Sequence, residues 1–324
     1  EQFVEQFMSI LVLPLSQLLL EGIRKFFTNY KNTSFASLIR KWLIPLFTPI
    51  LCNLEDNDKK HTLAAHALET MIFLQYEKND ITLSLLVHYS YLLTVDDVNL
   101  NEKMTELLLY FQDTFPVLRF RLLSFISYSS FDELRLSVLQ KISYSHDLCS
   151  VIKSFLNDRS PKLARETMRI LCENNEKEEI RLFLNSSITR FPLYDSTRYR
   201  HLIKMYLLIA NRFLDLFEPI CDIAFENFFQ IEFHFPASLE LLSLLLKLPN
   251  GQRNCDERII IILENHLKLH STIVILQASL DLLLSVIEHT NIKLSSQLIN
   301  QLYEVSRYAE DSELQVKLFH TISY

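Results

Sequence analysis

Glycine is nearly missing from this chain: only Gly22 and Gly251 occur in 324 residues. An average sequence carries about 7% glycine, and glycine supplies the left-handed backbone that tight hairpins, bulges and phosphate-cradling loops need. A fold that does without it favours helices joined by short polar loops. The shortage also excludes glycine-dependent signatures, and no P-loop, GxGxxG or GxSxG pattern occurs. HExxH and EF-hand patterns are missing as well. The five cysteines (Cys52, Cys149, Cys172, Cys221, Cys255) lie far apart with no CxxC spacing, the pattern of reduced core thiols in a reducing compartment. No clean apolar run is long enough for a membrane span, which takes about 20 residues. The stretch from Phe7 to Ile23 is broken by Ser9, Pro14, Ser16, Gln17 and Glu21, and Glu5 stands where a signal peptide would be basic. The expectation is an intracellular protein, nuclear or cytoplasmic, without membrane insertion.

What is present points to a folded, core-rich chain: 49% hydrophobic and 22% charged residues. Its length exceeds the size at which single compact cores stop growing, so two domains or an elongated repeat array are expected. Amphipathic periodicity marks helices at 2–13, 15–28, 35–54, 60–76, 80–94, 99–112, 115–128, 131–143 and 146–156. It continues at 160–174, 176–189, 196–214, 216–230, 237–248, 256–270, 272–289, 293–308 and 312–324. Both chain ends fall inside such patterns, so the sequence reads as part of a longer polypeptide. Asp80, Ser160, Ser271 and Asp311 or Ser312 are placed to cap helix starts, and Pro116, Pro161 and Pro236 sit where a missing N–H does no harm.

The helices pair into hairpins. The second helix of each pair starts near 58, 98, 131, 160, 197, 237, 272 and 312, a period of about 36 residues, inside the range of helical-hairpin repeats. Four of these starts share more than the period. Asp158-Arg-Ser-Pro161-Lys-Leu163-Ala164 and Asp311-Ser-Glu-Leu-Gln-Val316-Lys317 are two of them. Asp58-Lys-Lys-His-Thr-Leu63-Ala64 and Ser271-Thr-Ile-Val-Ile-Leu276 are the others. Each is a capped turn followed by an apolar ridge, and each resembles the turn and second helix of a HEAT repeat. The chain departs from that family in having few alanines and in placing Ala164 at a basic position. The resemblance, over most of residues 35–324, implies an all-α, right-handed α-solenoid of about eight antiparallel hairpins, HEAT/ARM-like, behind an N-terminal helical cap at 1–34. It further implies a non-catalytic scaffold or adaptor subunit that binds protein partners along an extended surface.

Candidate chemistry is sparse. His266 and His270 share a helix face at i, i+4, but without a further ligand they read as complements to a helix C-terminus. His61 and His66 point to different faces. No catalytic residue, cofactor or metal site is expected, and so no enzyme. One charge imbalance stands out. Residues 159–212 carry eleven basic and six acidic residues, a local +5 in a chain of net −7. Lys162, Arg165 and Arg169 fall on one helix face, and Arg200, Lys204 and Asn211 fall on one face of the next helix of the same row. Merged into one ridge, Lys162, Arg165, Arg169, Arg200 and Lys204 suit an acidic protein segment or helix. The alternative is nucleic-acid phosphate.

Overall fold

A computed structural model describes residues 17–30, 47–48, 50–52, 54, 58–74, 80–190, 196–230, 235–249, 258–267, 272–290, 294–308, 315–316 and 321. All regular structure among the described residues is helical. The chain divides into two compact units, Glu1–Phe155 and Leu156–Tyr324. The first contains α1 (Gln17–Tyr30), α2 (Asp58–Phe73), α3 (Asp80–Tyr89), α4 (Val98–Phe111), α5 (Val117–Tyr128), α6 (Asp132–Lys141) and the single turn α7 (Cys149–Ile152). The second contains α8 (Pro161–Glu173), α9 (Lys177–Arg190), α10 (Ser196–Arg212), α11 (Phe217–Gln230), α12 (Phe235–Leu246), α13 (Arg258–His266), α14 (Ile273–His289) and α15 (Ser296–Tyr308). The helix expected at 2–13 and most of those at 35–54 and 312–324 lie outside the described residues.

Two expected helices are interrupted. The 80–94 segment leaves α-geometry at Ser90 and runs on as a 3-10 turn, Ser90–Thr94. The 146–156 segment splits into 3-10 turns on either side of α7. Hydroxyls bonding back three residues accompany both changes: Ser90 Oγ donates to the Val87 carbonyl at 2.6 Å, and Ser154 Oγ to Val151 at 2.6 Å. Such bonds compete with the i→i−4 ladder and favour the tighter turn. Capping also shifts. Asp97 accepts from the Leu100 N–H at 2.9 Å at the start of α4, and Ser295 accepts from Leu298 at 3.1 Å before α15. Thr272 caps α14. Ser160 occupies the N-cap position of α8 but its side chain makes no capping bond. Asp158 instead accepts from the Ser160 N–H at 2.8 Å.

Where glycine would be expected, asparagine stands in. Asn175 has φ 57°, the only non-glycine residue with positive φ among those described. It closes a Schellman turn after α8, in which the Glu176 N–H reaches the Leu171 carbonyl at 3.0 Å and the Asn175 N–H reaches Cys172 at 3.3 Å. Asparagine tolerates this backbone better than other side-chain-bearing residues, and its Oδ1 also accepts from Arg212 Nη2 at 3.1 Å.

Packing within each unit is between neighbours and next-but-one neighbours. In the first unit α2 packs on α1 and α4, and α4 on α5 and α6. In the second, α8, α10, α12 and α14 form one row, each on the next. In the facing layer α9 packs on α11 and α13 on α15, and α8–α9, α10–α11, α11–α12 and α13–α14 join the two layers. Polar bonds follow the same spacing. Arg258 reaches Asp222 at 3.0 Å, and Gln301 donates to the Glu264 carbonyl at 2.9 Å. The closest seam is α12 on α14, where the Ser243 and Ser285 hydroxyls lie 2.7 Å apart, both residues buried. Ser238 and Ser279 are also buried on the same two helices. Arg135 of α6 is 1% exposed. Its Nε donates to the Ile126 carbonyl at 2.6 Å and its Nη1 to Asp132 at 2.7 Å, so a side chain satisfies a carbonyl near the end of α5.

Candidate partner-binding site

The basic ridge is assembled by α8 and α10, adjacent helices of one row. Leu163, Thr167 and Ile170 of α8, and Leu202 and Tyr206 of α10, are buried, which turns the opposite faces outward. Lys162, Arg200 and Lys204 are exposed, while Arg165 and Arg169 are half-buried. The five residues do not behave alike. Arg169 is held on its own helix by two carboxylates: Glu166 Oε1 accepts from its Nε at 2.9 Å, and Glu173 accepts from Nη1. The bonds to Glu166 above all, then those to Glu173, hold its guanidinium further above its ordinary pKa. Arg165, Arg200 and Lys204 make no ion pair among the described residues.

On α9 two further basic residues are already compensated. Lys177 meets Asp215 at 2.7 Å, and Arg181 bridges Asp215 at 3.1 Å and Glu178 at 2.8 Å. Lys177, ahead of Arg181, holds the Asp215 carboxyl below its usual value.

Between α8 and α10 runs an open groove of about 530 Å³. Arg165, Glu166 and Arg169 line its α8 side. Lys204, Leu207, Leu208 and Asn211 line its α10 side, and Leu248, in the turn after α12, closes one end. Leu207, Leu208 and Leu248 are half-buried, an accessible apolar floor beside the cations. The sequence pattern brought out the charges but not this floor. Leu207 and Leu208 were readable as the i+3 and i+4 neighbours of Lys204; Leu248 enters from the turn after α12, the helix next to α10 in the row.

His201, one residue beyond Arg200, belongs to the same surroundings. Its Nδ1 is buried without a hydrogen-bond partner. Burial first, then Lys204, Arg165 and Lys162, push the imidazole below its ordinary pKa. Beneath the ridge, burial raises the Cys172 thiol to about 12 and raises the Tyr199 phenol, so neither is a nucleophile at neutral pH. Among the described residues no group of three His, Cys, Asp or Glu side chains could hold a metal ion, and no helix is long and apolar enough to cross a membrane. His270 lies outside the described residues, and His61 is buried against Asp97 at 3.3 Å. The chain matches no family model and no curated protein.

Proposed function

We propose that the chain is a HEAT/ARM-like α-solenoid acting as a non-catalytic scaffold or adaptor subunit that binds protein partners along its helical surface. The observation that carries this reading is the α8–α10 face, where unpaired Arg165 and Lys204 border half-buried leucines. The two-row packing of the second unit, with each row helix resting on the next, supports the repeat architecture, because stacked hairpins leave one long face of each row for partners. Nucleic acid is the lesser reading. Glu166 and the leucine floor oppose a phosphate backbone and favour a ligand with apolar side chains. The test is affinity capture of the intact chain with cross-linking and mass spectrometry. The reading expects a saturable protein partner cross-linked to the helical surface. Capture of nucleic acid alone, or of no protein above background, overturns it.

A further inference from the structure

We infer that the α8–α10 groove docks an acidic, leucine-bearing helix, with a carboxylate meeting Arg165 and Lys204 and an aliphatic side chain one turn away seated on Leu207, Leu208 and Leu248. This deepens the scaffold reading and rests on it. Three observations choose this occupant. The two cations line the groove from different helices and neither has an ion-pair partner among the described residues, so both are open to a partner's carboxylate. Arg169, by contrast, is already neutralised by Glu166 and Glu173. The groove therefore offers a short cationic end rather than a continuous charged track, and a polyanion with evenly spaced phosphates fits it poorly.

The second observation is register. Leu207 and Leu208 follow Lys204 by three and four residues on α10, a separation of about 4.5–6 Å along the axis. A partner helix with an acid at i and a leucine at i+3 or i+4 carries the same spacing on one face. An extended strand alternates faces every residue and would present the two groups in register only by skipping positions. The third is openness. The groove is not enclosed, whereas sites for small molecules bury most of their ligand's surface. A helix laid across neighbouring ridges needs no enclosure.

The experiment titrates the intact chain into fluorescently labelled synthetic helices of about 18 residues and follows anisotropy. One peptide places Glu and Leu at i, i+4. A second has the same composition with each pair moved to i, i+2, and a third replaces Glu by Gln. A single-stranded oligonucleotide of equal charge is the competitor. The expected result is saturable binding of the first peptide, weakened about tenfold or more in the second and third and in the protein variant Arg165→Glu/Lys204→Glu. Lys204→Glu alone, on an exposed position, should weaken binding by a smaller factor. The melting temperature of Lys204→Glu should match the parent, since exposed charges add little to folding, and that of the double variant should fall only modestly, Arg165 being half-buried. Equal binding of the first two peptides, displacement by the oligonucleotide, or no binding at all overturns the groove. Protein partners captured and cross-linked elsewhere on the helices would then leave the scaffold reading standing, while loss of all protein capture would fell that reading separately.

Discussion

Gly22 lies exposed within α1, and a methyl group added there meets no atom within 4 Å. Its backbone is helical, so the flexibility that glycine brings to the unfolded chain is pure cost. Gly22→Ala should stabilise the protein by about 0.5–1 kcal/mol, read as a higher denaturation midpoint at unchanged slope; a fall would mean that the site is occupied or strained. His201 makes a prediction of opposite sign. Lys162 and Arg165 on α8 and Lys204 on α10 face it, and its pKa is below the ordinary imidazole value of about 6.5. In the unfolded chain His201 takes up a proton at a higher pH than in the folded one. Stability should therefore fall as pH drops below about 6.5, and the loss should level off once the folded imidazole is also protonated. Chemical denaturation from pH 7.5 to 5 should show a shallower slope for His201→Gln than for the parent. Equal slopes would show that neither burial, the first cause, nor Lys204, Arg165 and Lys162 lower the ring's pKa on folding.

The α12–α14 seam behaves as a size limit. Ser243 and Ser285 are paired at 2.7 Å inside it, and Ser285 also donates to the Asp281 carbonyl at 2.9 Å. Ser285→Ala should be nearly neutral, costing about 1 kcal/mol or less, since a single neutral hydrogen bond contributes about that much. Ser285→Val should cost about 1–3 kcal/mol through overpacking. Equal effects of the two changes, measured by urea denaturation, would show that the seam has room to spare. Helix placement was largely readable from the sequence: α8 spans Pro161–Glu173 where periodicity indicated 160–174, and α14 spans Ile273–His289 where it indicated 272–289. Periodicity succeeds there because one buried stripe dictates the element. It fails at Ser90–Thr94 and around Cys149, where 3-10 turns interrupt an otherwise helical pattern. The neutralisation of Arg169 was in principle visible, because Glu166 and Glu173 sit at i−3 and i+4. The leucine floor was not fully visible, because Leu248 reaches it only through the packing of α12 on α10.

In the second unit every principal contact of a helix is with a neighbour or the next helix but one. Damage should accordingly stay local. Leu298 of α15 is fully buried, and Leu298→Ala should cost about 2–5 kcal/mol. Hydrogen exchange should show the lost protection in α13, α14 and α15, with amides of α8 and α10 slowed as in the parent. A uniform loss from α8 to α15 would mean that the unit unfolds as one cooperative body. Such packing also sets a clock. α14 begins 38 residues after α12, and a ribosome adds about 5–20 residues each second. The partner of each row helix is therefore made within about 2–8 s, so the apolar face of α12 waits for seconds, not for the completion of the chain, before it is covered.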